Sequence, residues 1–182
     1  MKIVVCVTGS IAAYKSASLV SFLKNRGDEV QVIMTENATK FISSLTFQTL
    51  SKRKVITSMF DEQDANFVGH IHYSQDWDLI IVAPASANNL GKVANGIADD
   101  MVTSTIIAST KPILFVPSMN TYMYENAIVQ NNIKKLKELG YEFVEPDIGM
   151  LACGVEGKGK YPKLDKIIEK IDEIGGKNKW KL

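Results

Sequence analysis

Residues 78–89 read Asp-Leu-Ile-Ile-Val-Ala-Pro-Ala-Ser-Ala-Asn-Asn. A short apolar run rich in β-branched side chains, without polar alternation, marks a strand buried on both faces. The spacing predicts a strand over 78–84. The polar stretch Ser86-Ala87-Asn88-Asn89 then opens a helix, or a pair of helices, reaching Ser109. The same unit of strand, polar turn and helix recurs outward in both directions. Toward the N-terminus a strand over 2–7 runs into Thr8-Gly9-Ser10 and a helix to about Arg26, ended by the glycine signal at Gly27. A second strand covers 29–34, and Thr35-Glu36-Asn37 opens a helix through Phe41 and Leu45. Residues 51–67 read as irregular, and a short helix from about His70 leads into the 78–84 strand. Toward the C-terminus, 112–116 is a fourth strand, 125–139 an amphipathic helix ended by Gly140, and 141–144 a fifth strand. A glycine-rich loop over 149–162 precedes a last helix over 163–174, with 175–182 as a frayed tail.

Short buried strands alternating with helices predict the α/β class: a doubly wound parallel sheet in a flavodoxin-like or Rossmann-like three-layer sandwich. The length of 182 residues suits a single domain, placed at 1–174. In such sheets ligands sit beyond the carboxyl ends of the strands. Polar and glycine-rich segments should therefore follow strands, and Gly9-Ser10, Thr35-Glu36-Asn37, Ser86–Asn89, Ser118-Met119-Asn120 and the Cys153 loop all do. His70 precedes a strand but begins a helix, which places it on the same expected rim.

Composition narrows the function classes. A formal net charge of +1 provides no basic field for a nucleic-acid backbone. The cysteines number 2, too few for a disulfide framework, and point to reduced thiols. The N-terminus enters a strand directly, unlike a secretory signal, and no apolar run has the length of a membrane span. The expectation is a cytoplasmic protein. His70 and His72, the 2 histidines, are spaced too closely to share a helical face and have no cysteine cluster, so no metal site is expected.

Each polar segment also has a plainer structural reading. Thr8-Gly9-Ser10-Ile11 is a helix cap or a phosphate-binding turn, and its single glycine is not a dinucleotide fingerprint. Ser86–Asn89 is a capped helix start or a neutral donor set for a phosphate monoester or a flavin edge. Pro117–Tyr124 is ordinary loop packing or a contact for a flat aromatic ligand. The Cys153 loop is a flexible connection with an incidental thiol, or a flap that excludes water.

Taken in order and spacing, the segments GSIAAYK (9–15), GHI around His70, PASANN (84–89), GIADD (96–100), PSMNTYMY (117–124) and LACGVEGKGKYP (151–162) resemble the homo-oligomeric flavin-containing cysteine decarboxylases. The resemblance covers almost the whole chain. It implies bound FMN and removal of a cysteine carboxylate, foremost that of 4'-phosphopantothenoylcysteine in coenzyme A biosynthesis. By the same resemblance His70, Asn120 and Cys153 are catalytic. Gly9, Ser10, Ile11, Thr35, Ser86, Ala87, Asn88 and Asn89 contact the cofactor. Asn120, Met123, Ala152, Cys153 and Gly154 contact the substrate. Asn120 would hold the carboxylate, His70 would assist deprotonation, and Cys153 would protonate the enethiolate left after CO₂ departs. The chain departs from the family pattern at Asn89, where threonine is usual, at Tyr124, where tryptophan is common, and at Val155-Glu156, where the acidic residue comes one place late. A trimer or a dodecamer of trimers is implied, with sites shared between subunits, together with a separate phosphopantothenate–cysteine ligase. Rival readings are a peptidyl-cysteine decarboxylase, a flavin prenyltransferase, a non-enzymatic phosphatase-regulating subunit and a dipicolinate synthase subunit.

Overall fold

The structure is a computed structural model that describes residues 1–60, 68–151, 154 and 156–178, with side chains as far as 176. In chain order, β1 (Lys2–Val7) is followed by α1 (Ala13–Asn25), β2 (Glu29–Met34), α2 (Glu36–Thr39), α3 (Ser44–Ser51) and α4 (Gly69–Gln75). Next come β3 (Leu79–Ala85), α5 (Ala87–Ala94), α6 (Met101–Ile107) and β4 (Ile113–Pro117). The chain continues through α7 (Thr121–Glu125), α8 (Ala127–Glu138), β5 (Glu142–Phe143), β6 (Asp147–Met150), β7 (Glu156–Lys160) and α9 (Leu164–Asn178).

Strands β1 to β5 form one parallel sheet in the order β2-β1-β3-β4-β5. Successive side chains of a strand point to opposite faces, so β1 divides itself between two cores. Ile3, Val5 and Val7 pack with Leu19 and Leu23 of α1 and Ile167 and Ile171 of α9. Val4 and Cys6 pack on the other face with Leu90, Ile106 and Leu136 of α5, α6 and α8. Helices on both faces make the expected three-layer, doubly wound sandwich.

Local differences from the expected elements have local causes. The helix expected to run through Phe41 and Leu45 is two helices, because the Ser43 hydroxyl caps a new start at Leu45. Likewise Asn126 caps α8 and separates it from α7. Within the stretch read as irregular, α3 ends at Lys52 in the left-handed conformation and Ile56 bridges Ile33 of β2; residues 61–67 lie outside the described residues. The final helix does not stop at Ile174: its apolar face, Ile167, Ile171 and Ile174, is buried, and packing carries the helix through Gly175 and Gly176 to Asn178.

The largest correction concerns 149–162, expected as a loop. Much of it is an antiparallel ribbon, β6 against β7. The sequence Glu156-Gly157-Lys158-Gly159-Lys160 alternates with period two, but its inward face carries glycine where a strand usually carries apolar side chains. That face lies on the turn after β4. A β-carbon on Gly157 would strike the Thr121 side chain, and one on Gly159 the Met119 carbonyl oxygen.

Candidate active site

The strand order changes direction at β1, with β2 on one side and β3 on the other, so their outgoing connections diverge and leave a crevice. A cleft of about 880 Å³ opens there, within the usual range for a small-molecule site. Its walls are the turns that leave β1, β2, β3 and β4, and one edge of the β6–β7 ribbon.

Side chains from β1 and α1 complete the end of β3. The register between β3 and β4 shifts between Val82 and Ala85, which interrupts the ladder and leaves carbonyls needing other donors. The Ser16 hydroxyl donates to the Ala83 carbonyl (2.6 Å) and the Thr8 hydroxyl to the Pro84 carbonyl (2.6 Å). Thr8 Oγ1 also accepts from the Ser86 backbone N–H (3.0 Å), which sets the start of α5. Ser86 then caps that helix, its hydroxyl accepting from the Asn89 N–H at 3.2 Å. The turns after β1 and β2 meet closely: a β-carbon on Gly9 would stand 2.7 Å from Asn37 Cβ. Thr35 caps α2 through its hydroxyl, which accepts from Ala38 N–H at 3.2 Å.

Asn89 is 2% exposed, and neither its Nδ2 nor its Oδ1 has a hydrogen-bond partner among the described residues. A buried unsatisfied amide costs about 1–3 kcal/mol. Here the amide belongs to a residue lining the cleft, so a ligand with an adjacent donor and acceptor would remove the cost.

After β4, Asn120 caps α7, its Oδ1 accepting from the Tyr122 N–H at 2.9 Å. The oxygen is thus committed to the backbone, and the N–H₂ is the donor end of the side chain. Met119 and Met123 add polarizable apolar surface beside it. Lys92, also in the lining, bonds both oxygens of Asp99 (2.7 and 2.9 Å) and lies 3.6 Å from Asp100. The Asp99 hydrogen bond raises the Lys92 pKa despite partial burial, and Lys92 in turn lowers that of Asp99. Asp100 is held in a capping box with Thr103 at the start of α6. Lys15 lies over the Tyr161 ring, 5.7 Å from its centroid.

The structure brings most of the predicted residues together. Gly9, Ser10, Ile11, Thr35, Ser86, Ala87, Asn88, Asn89, Asn120 and Met123 all line this one cleft. Ala152 and Cys153 lie outside the described residues. Gly154 is exposed, at a φ of +79°, and is not in the lining. His70, expected on the same rim, does not line the cleft of its own chain. It is the second residue of α4, whose Tyr73, with Trp77 just beyond, packs into the core shared with α5 and α6, to one side of the crevice. His72 has a local role, with Nδ1 2.9 Å from Asp76 and Nε2 accepting from the Trp77 N–H at 3.4 Å. Cys6 is wholly buried in β1, where burial, followed by Asp100, pushes its thiol pKa up.

Lys15, Lys92, Asp99, Asp100 and Lys160 also line the cleft without having been given roles from the sequence. GIADD and GSIAAYK contain several of them, but only the folded chain aims these side chains at the cleft. Among the described residues no cluster of histidine, cysteine and acidic side chains could hold a metal ion. No described helix is long and apolar enough to cross a membrane.

Known proteins resemble this chain in sequence and fold. The coenzyme A biosynthesis bifunctional protein CoaBC of Bacillus subtilis is 49% identical over 168 residues, covering 92% of this chain and 41% of that protein. The chain thus spans about two fifths of the first curated relatives it matches. The Streptococcus mutans protein named "Probable phosphopantothenoylcysteine decarboxylase" is 47% identical over 174 residues, covering 94% of this chain and 97% of that one. Among solved structures, a PPC decarboxylase variant complexed with pantothenoylaminoethenethiol has a TM-score of 0.84 at 28% identity, covering 96% of this chain and 98% of that chain. The FMN-dependent cysteine decarboxylase SpaF has a TM-score of 0.83 at 26% identity, covering 96% and 97%. The Flavoprotein family model matches residues 1–175, and the chain belongs to that family.

Proposed function

We propose that this protein binds FMN in the cleft and decarboxylates 4'-phosphopantothenoylcysteine to 4'-phosphopantetheine in coenzyme A biosynthesis. The observation that carries the reading is a set of backbone N–H groups, hydroxyls and amides at the switch point, with the buried amide of Asn89, unpartnered among the described residues, in its wall. That donor set fits a flavin: the ring edge alternates donors and acceptors, and the start of α5 with the Gly9-Ser10 turn suits a phosphate. The relatives supply the substrate, since the coenzyme A biosynthesis proteins match at 47–49% identity and the solved cysteine decarboxylases SpaF and PPC decarboxylase at 26–28%.

Decarboxylation of a cysteine end is slow because the carbanion left behind has no delocalising neighbour. Bound FMN would supply a two-electron oxidation of the substrate CH₂–SH to a thioaldehyde, an electron sink β to the carboxylate, and the return of those electrons after CO₂ has left. The residues of the chain bind, orient and move protons. The Asn120 N–H₂ would hold the carboxylate with neutral hydrogen bonds, weaker than a cationic grip, so that the electron pair of the breaking C–C bond can pass to the sulfur-bearing carbon while neutral CO₂ leaves. Met123 would pack beside the substrate. Cys153, outside the described residues, would protonate the enethiolate, and Ala152 and Gly154 would border it. His70 would assist deprotonation from a neighbouring subunit, since it does not line the cleft of its own chain. The working form would then be a trimer or a dodecamer of trimers in the cytoplasm, and a phosphopantothenate–cysteine ligase would supply the substrate.

The test is CO₂ release by the FMN-reconstituted protein. Phosphopantothenoylcysteine should yield CO₂ and phosphopantetheine, and a peptide ending in cysteine should yield none. Release from the peptide alone would overturn the substrate assignment, and failure to take up yellow flavin would overturn the whole reading.

A further inference from the structure

Beside the cleft, one carboxylate gathers donors from three elements. Glu145, between β5 and β6, accepts from the Tyr124 hydroxyl of α7 (3.0 Å), from Lys158 Nζ of β7 (2.9 Å) and from Lys137 Nζ of α8 (2.7 Å). Lys158 also lies over the Tyr124 ring, 5.4 Å from its centroid. Burial pushes the Glu145 carboxyl up, but the two ammonium groups and the phenol outweigh it and hold its pKa at about 2. The ribbon joined by this contact rests on both neighbours of Asn120. Gly157 abuts the Thr121 side chain, Gly159 abuts the Met119 carbonyl, and the Met119 N–H donates to the Gly159 carbonyl at 3.0 Å.

We infer that Glu145 is a positioning residue for the decarboxylation: with Tyr124 and Lys158 it holds the β6–β7 ribbon against the turn that carries Asn120, and so aims the Asn120 amide. Tyr124 belongs to the short helix that Asn120 caps, and Lys158 lies between the two glycines that touch the turn. A carboxylate bonded to both fixes helix and ribbon relative to each other, which neither glycine contact does alone. The inference rests on Asn120 as the holder of the substrate carboxylate.

The experiment uses the full FMN-reconstituted chain. Glu145→Gln should lower kcat/KM for CO₂ release about tenfold, as expected of a sub-ångström displacement at the reacting group. Flavin uptake, followed by absorbance, should stay unchanged, and Lys158→Arg should keep the rate that Lys158→Met loses. In an Asn120→Ala background Glu145→Gln should cause no further loss, because the group it positions is gone. A loss of equal size in that background, or loss of flavin with the rate, would overturn the assignment. A readout independent of turnover is hydrogen exchange at the Met119 amide, which Glu145→Gln should accelerate about threefold relative to the amides of β3. Unchanged exchange overturns the holding role. Absence of CO₂ release from the unsubstituted protein would overturn the proposed function instead, with the exchange experiment still deciding whether Glu145 holds the ribbon.

Discussion

At the ends of β1, β2 and β3 the cleft is held by buried backbone groups and short hydroxyl bonds: Ser16 to Ala83, Thr8 to Pro84 and Ser86, and Ser86 to Asn89. The β6–β7 ribbon across from them has almost no apolar core. It is held by glycine contacts and half-exposed ion pairs, Lys158 and Lys137 to Glu145 and Lys166 to Asp147. Buried hydrogen bonds in low dielectric are costly to break, whereas exposed ion pairs are individually worth about 0–1 kcal/mol and are screened by salt. The cradle is therefore the fixed part of the site and the ribbon the adjustable part. Binding a cofactor and positioning a substrate fall to regions of different stiffness.

The sharpest way to separate the two regions is Asn120→Ala. It should reduce kcat/KM for CO₂ release by about 10²–10³-fold, the cost of removing one oriented donor, while flavin absorbance stays intact. Loss of flavin in the same variant would show that the regions are not independent. Gly159→Ala attacks the ribbon through its backbone. The new β-carbon would strike the Met119 carbonyl at a φ of +139°, and urea unfolding should show a loss of about 2–3 kcal/mol. Gly154→Ala, whose new β-carbon meets no atom of the described residues beyond its chain neighbours within 4 Å, should cost only about 1 kcal/mol through its positive φ.

Asn89→Leu probes the cradle in the opposite sense. Removing an unsatisfied buried amide should stabilise the flavin-free protein by about 1 kcal/mol in thermal unfolding while weakening FMN binding at least ~10-fold in an absorbance titration. Unchanged FMN binding in this variant would show that Asn89 has no part in holding the ligand. The smallest effect concerns Glu145. Its pKa is depressed from 4.5 to about 2, so its contribution to stability is present above pH 4.5 and lost as pH falls toward 2. The difference in unfolding free energy between the unsubstituted protein and Glu145→Gln should be less than ~1 kcal/mol at neutral pH, because the side chain is half exposed, and should vanish near pH 2. A difference independent of pH would mean that the ion pairs contribute nothing.

The polar turns after strands were legible because a strand buried on both faces shows itself as an unbroken apolar run, and whatever polar segment follows it must emerge at the sheet edge. Gly9, Ser86 and Asn120 were found on that ground. The ribbon escaped because its alternation places glycine on the inward face, and Glu145 escaped because its partners come from three separate elements. His70 looked equivalent to the others because helix starts and strand ends share an edge; the sideways packing of α4 against α6 decided otherwise.

The amino-acid sequence alone determined the alternating strand–helix order, the helix starts at Thr35 and Ser86, and the rim on which the chemistry gathers, because each is written in neighbouring residues through burial period and local hydrogen bonding. Only the tertiary structure decided which charged side chains face the cleft, that Asn89 is buried without a partner among the described residues, and that the glycine ribbon rests on the Asn120 turn. Those properties depend on distances between residues far apart in the chain, which no local pattern encodes.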